Sequence, residues 1–400
     1  MVFEVEYTQL DLMQARIDFV PKDWIFSRIG GAFGIKNNLR KPISEDERKK
    51  NTGSFPYYGP TKIQGYIDTY EQNGSYCLIG EDGDHFLKYR VQSMTQLVDG
   101  KCTVNNHAHI IEGTKTVVRE WFYYYFMHRD IFSFLSRQGA GRYKLNKAAL
   151  ERIPLLIPPL PEQKKIVKIL QTWDRAIATT EKLIEASKQQ KKALMQQLLT
   201  GKKRFPGFER EWEEVKFGDV FLERVETGFN ELPLLSITSD EGVILRTEVG
   251  RKDTSNANKD KYKRICPGDI GYNTMRMWQG VSGLSSREGL VSPAYTIVSP
   301  STEIDPRYAS YLFKLPVLVN TFERNSQGLV SDTWNLKYKH FSKITWKLPE
   351  FAEQQRISTV LLSLDAQISK LLAKRTRIAQ EKKALMQQLL TGKRRVKPDE

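Results

Sequence analysis

The sequence predicts an α+β protein in which two similar α+β globular domains are separated by two long helices that form an antiparallel coiled coil. The first observation is a repeat, because KKALMQQLLTGK stands at residues 191–202 and again at 382–393. The second concerns the stretch of about 40 residues that ends with each copy of this repeat. Its apolar side chains follow alternating spacings of four and three, as they do in coiled-coil helices. The third is that short strand-like runs broken by turns fill the rest of each half. These features indicate a tandem duplication with a pseudo-two-fold internal repeat.

The repeat fixes how the two halves align. The offset of 191 residues from Lys191 to Lys382 also pairs Pro158 with Pro349. Proline is favoured at the first positions of a helix, and a glycine after each repeat is a typical helix stop. The predicted organisation is a first globular domain at 1–157, a long helix at 158–201, a second globular domain at 202–348, a long helix at 349–393 and a basic, polar tail at 394–400.

The apolar stripe of each helix predicts where the helices meet. A stripe this narrow favours helix-on-helix packing, since a globular neighbour buries a wider face. The alternative is that each helix packs only on its own globular domain. The predicted helix–helix contacts are Ile166, Leu170, Trp173, Ile177, Leu194 and Leu198 in the first helix and Ile357, Leu361, Leu364, Ile368, Leu385 and Leu389 in the second, with Lys191 and Lys382 among the polar positions of the stripes. At 1.5 Å per residue each helix would be roughly 60 Å long.

The two globular parts are similar in plan and different in sequence. Strand-like runs such as IQGYIDTY (63–70) and PLLSITSDEGVIL (233–245) are separated by turns, and each part contains one predicted helical patch, at 117–136 and 307–324. The closing segments of the two helices repeat without change, whereas the globular parts hardly repeat at all. Two repeated helices that carry two diverged globular parts indicate two recognition units with different targets.

The net charge of +15 favours a polyanionic partner, because each Lys or Arg near a phosphate releases bound counterions. A basic soluble protein or one that binds an anionic membrane surface is the alternative. The N-terminal residues are acidic where a signal peptide is positive, and no segment approaches the roughly 20 apolar residues of a membrane span. Cys77, Cys102 and Cys266 are too scattered for a disulfide framework or a zinc cluster. We therefore expect a cytoplasmic protein with no metal site.

Catalytic motifs are missing from the sequence. A methyltransferase needs a Gly-rich cofactor loop after a strand and an Asn/Asp-Pro-Pro-aromatic turn, and neither is present. GAGRYK (139–144) completes no nucleotide-binding pattern. EDGD (81–84) fits a turn better than a nuclease site, and His107 and His109 lack a carboxylate or Cys ligand at a suitable spacing. We therefore predict no catalytic residue and no cofactor in this chain.

Several segments carry side chains suited to DNA. Tyrosine can stack or bond to phosphate, and Gly permits close backbone approach, although PYYGPTK (56–62) also fits an ordinary aromatic turn. Arg reads guanine, and Asn or Gln reads adenine, through paired bonds in the major groove. The basic stretch 251–264 is either a phosphate clamp or a solvated loop. The predicted DNA contacts are Tyr57, Tyr58, Lys62, Arg142, Tyr143 and Lys144 in the first half and Arg251, Lys261, Asn273, Arg276, Gln279, Gln327 and Trp334 in the second.

The motifs at the helix ends point to a known family. PLPEQKKIVKIL (159–170) and EFAEQQRISTVL (350–361) open the two helices, KKALMQQLLTG closes both, and YYGPTKIQGYID (57–68) and GRYKLNKAALERIPL (141–155) lie in the first globular part. Over nearly its whole length the chain resembles the specificity subunits of type I restriction-modification systems.

This resemblance implies a function without catalysis in this chain. Each globular part would be a target recognition domain that reads one half of a split, asymmetric DNA sequence. The helices would space these domains and dock two copies of a methyltransferase subunit, which holds S-adenosylmethionine. A restriction and translocation subunit would use ATP and Mg²⁺, and the complex would act in the prokaryotic cytoplasm. The alternatives are a stand-alone nuclease or methyltransferase and a coiled-coil adaptor that binds only proteins.

Overall fold

The computed structural model describes residues 5–138, 142–239, 241–250, 258–329 and 333–397. The chain forms two compact units, which we call unit 1 (Met1–Thr180 with Lys374–Glu400) and unit 2 (Glu181–Ala373). Both boundaries fall inside long helices, so each unit contains a globular part and a segment of each long helix.

Unit 1 is built on a six-stranded sheet. Its helices are α1 (Gln9–Gln14), α2 (Ile29–Ala32), α3 (Glu45–Lys50), α4 (Arg119–Phe126), α5 (Lys147–Arg152) and the first part of α6 (Leu160–Leu198). Its strands are β1 (Ile25–Arg28), β2 (Gly34–Ile35), β3 (Thr52–Tyr58), β4 (Ile63–Ile67), β5 (Gln72–Gly80), β6 (Asp82–Gly83), β7 (Thr95–Val104), β8 (Ala108–Glu112), β9 (Ser136–Gln138), β10 (Arg142–Lys144) and β11 (Pro154–Ile157). The large sheet has the order β2-β8-β5-β7-β3-β4, with a parallel pair between β3 and β7, and smaller sheets join β1 to β11 and β6 to β10 to β9.

The core of unit 1 is rich in aromatic side chains from α4. Trp121, Phe122 and Phe126 are fully buried there, which removes a large apolar area from water. The helix ends at Phe126, so the predicted patch at 117–136 is not one helix. The residues that follow are held by contacts distant in sequence instead, since Arg129 donates to the carbonyl oxygen of Ala15 at 2.8 Å.

Unit 2 carries a different and more divided set of sheets. Its strands are β12 (Glu213–Lys216), β13 (Phe221–Glu223), β14 (Leu235–Thr238), β15 (Gly242–Leu245), β16 (Lys263–Ile265), β17 (Ile270–Asn273), β18 (Ser282–Leu284), β19 (Gly289–Val291), β20 (Tyr295–Pro300) and β21 (Thr345–Leu348). Its helices are α7 (Phe217–Val220), α8 (Pro306–Leu312), α9 (Pro316–Asn325), α10 (Tyr338–Phe341) and the first part of α11 (Phe351–Leu389), with the second part of α6. The sheet order β13-β20-β17-β18 is accompanied by the pairs β12–β21, β14–β15 and β16–β19. The predicted patch at 307–324 is two helices, because Pro316 starts a new helix.

The two long helices match in length and in their ends. Each has 39 residues, and their first residues, Leu160 and Phe351, are equivalent in the repeat. Gly201 and Gly392 follow the last turns with φ of +70° and +69°. This left-handed conformation is the usual way to end a helix and favours glycine.

Within unit 1 the two helices run antiparallel. Glu162 of α6 bonds to Arg395, and Asp174 of α6 bonds to Lys382. Residue numbers therefore rise along α6 while those of its partners fall. The same core cluster contains residues of α6, of α11 and of the globular part. The alternative, in which each helix packs only on its own globular part, is therefore wrong.

Unit 2 repeats this antiparallel arrangement. Lys191 of α6 bonds to Asp365 of α11 at 2.6 Å, and Arg204 beyond α6 bonds to Glu353 at 2.8 Å. The predicted contact residues are buried in the two core clusters (Ile166, Leu170, Leu198, Ile357, Leu361 and Leu389), buried elsewhere (Leu364 and Ile368) or half-buried (Trp173, Ile177, Leu194 and Leu385).

Candidate nucleic-acid interface

The PYYGPTK segment of unit 1 forms a tight hairpin. Strands β3 and β4 pair antiparallel on either side of residues 59–62, and the side chain of Gln96 donates to the Gly59 carbonyl at 2.9 Å. A side chain at Gly59 would meet the side chain of Gln64, which would have to move aside. Lys62 is exposed on this turn, while Tyr58 is half-buried. The hairpin therefore presents Lys62 as its exposed cation.

Tyr57 is not available to DNA in this structure, and the prediction of a contact by its side chain is corrected. Only 1% of the residue is exposed, because alternation along β3 turns it inward. Its hydroxyl accepts a hydrogen bond from the Ile43 amide at 2.9 Å and donates to the Lys41 carbonyl oxygen at 3.3 Å. The Arg48 guanidinium lies 4.9 Å from the ring centroid. Tyr57 thus supports a cation and does not itself reach the surface.

Arg48 belongs to a basic groove of which the sequence indicated only Lys62. The groove has a volume of about 540 Å³, and its lining includes Arg48, Lys49, Lys62, Gln64 and Tyr66, with one carboxylate, Glu45, which pairs with Lys49 at 2.8 Å. Tyr66, on the edge strand β4, is 52% exposed. A large aromatic residue at an outward position of a strand is the signal that could have identified it. Lysine and arginine beside an exposed ring suit a phosphate backbone.

The second predicted segment of unit 1 is held by a half-buried carboxylate. Strand β10 pairs with β6 and β9, and Lys144 lies 3.4 Å from Glu81, which also bonds to Arg40. Burial alone raises the pKa of Glu81, but the hydrogen bond from Arg40 and the neighbouring cations outweigh it and leave the pKa below its ordinary value. Tyr143 is half-buried against Phe132, with ring centroids 5.0 Å apart. Lys144 and Tyr143 therefore anchor this strand.

His109 fixes the other side of the same segment. Its Nε2 lies 2.6 Å from the Leu145 carbonyl oxygen, and its Nδ1 lies 2.8 Å from the side-chain nitrogen of Asn37. Because the carbonyl needs a donor and the amide nitrogen is itself a donor, the ring is neutral with its proton on Nε2. Burial lowers the pKa of His109, although nearby Glu81 raises it in part. A proton on Nδ1 would oppose the bond from Asn37.

The chain is expected to lose stability as pH falls below about 6.5, the ordinary His value. Burial lowers the pKa of His85, His109 and His128 in the folded state. A lowered His pKa stabilises the fold above the unfolded value, and that stabilisation is lost as pH falls through the folded value. Thermal unfolding between about pH 8 and pH 5 measures this loss. His109→Gln should reduce the pH dependence. His107→Gln, at an exposed position, is the control, and an equal reduction there would contradict the assignment.

Two predicted segments of unit 2 lie side by side. The Leu336 amide donates to the Thr274 carbonyl at 2.8 Å, and the rings of Trp278 and Trp334 meet edge to face, 5.5 Å apart. Gln327 pairs with Asn335 through two backbone bonds of 2.8 Å. The structure therefore places 273–280 beside the described residues 326–329 and 333–336 in one surface, although 45 residues lie between the two segments in the sequence.

This surface, which we call the Arg276 surface, exposes three of the predicted DNA contacts. Arg276, Gln279 and Gln327 are exposed, and Trp334 is half-buried. Asn273 instead shapes the turn, because its side-chain oxygen accepts from the Met275 amide at 3.0 Å.

Lys314, which no motif indicated, holds the end of the same loop. Its ammonium group donates to the carbonyl oxygens of Gly280 and Ser282 at 2.8 and 2.7 Å. Gly280 itself has φ of +73° and ends the turn that carries Gln279. The loop is thus fixed by backbone contacts, which leaves Arg276 and Gln279 facing outward.

The remaining predicted contacts are less informative. Lys261 is exposed. Arg251 lies outside the described residues, and Arg142 is described in its backbone only. Among the described residues there is no cluster of three or more His, Cys, Asp or Glu suited to a metal. None of the helices described is both long and apolar enough to cross a membrane.

The comparisons with known proteins agree on one family. Residues 21–189 match the family model described as the type I restriction modification DNA specificity domain. The chain is 40% identical over 137 residues to a putative type I restriction enzyme specificity subunit of Haemophilus influenzae, a match that spans 34% of each chain. It is 24% identical over 412 residues to the type I restriction enzyme MjaVIII specificity subunit of Methanocaldococcus jannaschii, and the match spans 94% of each chain.

Solved structures share the fold at low sequence identity. The S subunit of a type I restriction-modification system from M. genitalium has a TM-score of 0.59 at 13% identity, over 98% of this chain and 99% of that one. A structure described under complex assembly and conformational transition of the type I R-M system has a TM-score of 0.53 at 15% identity, over 93% and 98%.

Proposed function

The chain belongs to the specificity subunits of type I restriction-modification systems, and on that premise we propose that it reads a two-part, asymmetric DNA target and docks methyltransferase subunits. The observation that carries the proposal is the contrast between frame and modules. In both units, segments of the two long helices, which end in the same KKALMQQL sequence, pair in the same antiparallel way. The globular parts on this frame differ in sheet order and in exposed side chains. Each module would therefore read its own half of the target.

The two modules offer different chemistry to DNA. Unit 2 exposes Arg276 and Gln279 on a fixed loop, and these side-chain types read guanine and adenine in the major groove. Unit 1 offers the basic groove that contains Arg48, Lys49 and Tyr66, which suits backbone contacts. With the net charge of +15, such contacts would give salt-sensitive affinity for any duplex. Base contacts would add the sequence preference.

The helical frame supplies surfaces for partner subunits. In unit 2, Leu183, Leu362 and Leu372 are 51%, 37% and 45% exposed on the long helices. Exposed apolar side chains on a helix suit association with other proteins. The methyltransferase subunits, two in number, would bind S-adenosylmethionine, and restriction subunits would use ATP and Mg²⁺. This chain would itself be non-catalytic and would work in the cytoplasm.

Methylation mapping tests the proposal. Genomic DNA from cells that express the chain with its methyltransferase subunit should carry methylated adenine in one bipartite, asymmetric motif, and the mark should disappear when only this chain is deleted. The purified chain should shift random duplex DNA with a linear log–log salt dependence. Turnover by the chain alone with Mg²⁺ and S-adenosylmethionine would indicate a stand-alone enzyme. No DNA binding at low salt would favour the coiled-coil adaptor.

A further inference from the structure

Unit 1 contains a distinctive contact at the start of α6. The indole nitrogen of Trp24 donates to Glu162 at 3.0 Å, and Arg395 donates to the same carboxylate at 2.8 Å. Gly392 lies close to the Trp24 ring. The residue Glu162 is only 3% exposed, so this contact fixes the end of one helix against the start of the other.

Unit 2 contains the same contact at the start of α11. The indole nitrogen of Trp212 donates to Glu353 at 3.2 Å, and Arg204 donates to that carboxylate at 2.8 Å. Gly201 lies close to the Trp212 ring. Because the contacts correspond one to one, the surface next to them can be compared between the units.

In unit 1 this surface is covered by residues 9–20, the cover segment, which contains α1. Leu12, Ala15 and Ile17 are buried in the unit 1 core together with Leu390. The space left beside residues 16–19 is about 20 Å³. The cover segment therefore fills this surface almost completely.

In unit 2 the equivalent surface is an open groove of about 640 Å³. Leu199 and Thr200, the repeat equivalents of Leu390 and Thr391, line it together with Trp212, Val317 and Trp346. The lining also includes the charged residues Arg204, Glu211, Glu214 and Lys347. Val317 is 57% exposed. The described residues of unit 2 include no equivalent of α1, since the chain passes from Arg204 into β12 through residues 205–212. The groove thus has the walls of the unit 1 surface without its cover.

We propose that this groove of unit 2 docks a short amphipathic helix from a partner protein subunit. The helix would have the chemistry of the cover segment, with Leu and Ala on one face and an Ile just after its end. The inference goes beyond the proposed function and rests on it only in requiring a protein partner.

Charge complementarity defines the end of the docked helix. In unit 1, Asp18 of the cover segment pairs with Lys393 at 2.8 Å. The repeat equivalent of Lys393 is Lys202, which is exposed and forms no salt bridge with the described residues. The docked helix is therefore expected to carry an acidic residue after its apolar positions, to meet Lys202.

A second copy of this chain is the less favourable occupant. Its own cover segment is engaged, because Leu12 is buried and Arg129 donates to the Ala15 carbonyl at 2.8 Å. To lend this segment, the second copy would have to expose the core beneath it. A partner subunit incurs no such cost.

A synthetic peptide of residues 5–20, labelled with a fluorophore, is the probe. Added to the full-length chain, it should show saturable anisotropy with a Kd of about 1–100 µM. Val317→Lys should weaken binding at least about tenfold, since it places a charge among the apolar side chains Leu199, Trp212 and Trp346 of the groove. Lys202→Glu should weaken it several-fold, and an Asp18→Lys peptide should restore binding to that variant. Lys203→Glu, at a neighbouring exposed position, is the matched control.

Three results would overturn the inference. The first is no saturable binding, and the second is binding that Val317→Lys and Lys202→Glu leave unchanged. The third is self-association of the chain that Val317→Lys abolishes, because the occupant would then be a second copy. DNA binding by the same variants is measured in parallel. Loss of DNA binding in the parent chain would contradict the proposed function alone, whereas intact DNA binding without peptide binding would contradict only this inference.

Discussion

Replacing Lys382 by Glu is expected to lower the free energy of unfolding by roughly 1–3 kcal/mol, less than the loss of a fully buried ion pair, because solvent partly screens its partner Asp174. Lys382 bonds to Asp174, and the Tyr124 hydroxyl donates to the same carboxylate at 2.7 Å. The lysine ammonium also lies 5.3 Å from the Tyr124 ring centroid. The side chain of Lys382 is 9% exposed and that of Asp174 is 39% exposed, so the new carboxylate would face Asp174 with partial screening by solvent.

Urea unfolding of four variants measures this coupling. Asp174→Lys combined with Lys382→Glu should regain much of the loss, since the opposite charges face each other again, and a double-mutant cycle isolates the pair. Glu381→Ala is the control, because the Glu381–Arg377 pair is largely exposed and should contribute at most about 1 kcal/mol. A Lys382→Glu effect no larger than that of Glu381→Ala would show that the contact does not hold the helices together.

Unit 2 contains an equivalent triad of Asp365, Lys191 and Tyr311. Tyr311 donates to Asp365 at 2.6 Å, and Lys191 lies 5.0 Å from the Tyr311 ring centroid. A shift of one helical turn would move each lysine by about 5.4 Å and break both contacts. The two triads therefore specify the register of the helices in each unit, as well as their antiparallel direction.

The long helices were predictable because their signal is local. The four-three spacing and the repeated KKALMQQLLTGK lie within single stretches of sequence, and each glycine that follows marks a helix end. The same pattern presented Lys191 and Lys382 only as polar gaps in an apolar stripe. Their partners Asp365 and Asp174 lie on the other helix, and sequence spacing alone does not reveal which turns face each other. The triads therefore required the three-dimensional pairing.

The globular modules were predictable in type and not in topology. Strand-like runs indicated α+β domains, but the parallel pairing of β3 with β7 joins strands far apart in sequence. In PYYG, two adjacent tyrosines fit either face of a strand equally well, so the sequence could not decide that Tyr57 turns inward. Gln279 and Trp334 were predicted in separate segments, and only the fold brings these segments into one surface.

Replacing Arg276 by Ala is expected to relax sequence preference at one base position, in the half-site read by unit 2 only. An arginine that bonds to a guanine edge contributes about 1–3 kcal/mol of discrimination, which corresponds to a roughly 5- to 150-fold loss. Arg276 is exposed on a loop that Lys314 and the Trp278–Trp334 contact hold in place. Base reading requires a fixed loop, because a mobile side chain would lose conformational entropy when it forms each contact.

Competition binding with single-base variants of the mapped target, at one salt concentration, separates base reading from charge. Lys261→Ala is the matched control in unit 2. It removes one exposed cation, and it should weaken all sequences equally and reduce the log–log salt slope by about 1. Arg276→Ala should leave that slope nearly unchanged and alter one position. If Arg276→Ala instead weakens every sequence equally, Arg276 contacts phosphate. If it relaxes positions in both half-sites, the two modules do not read separate halves, and the division of the target between unit 1 and unit 2 is wrong.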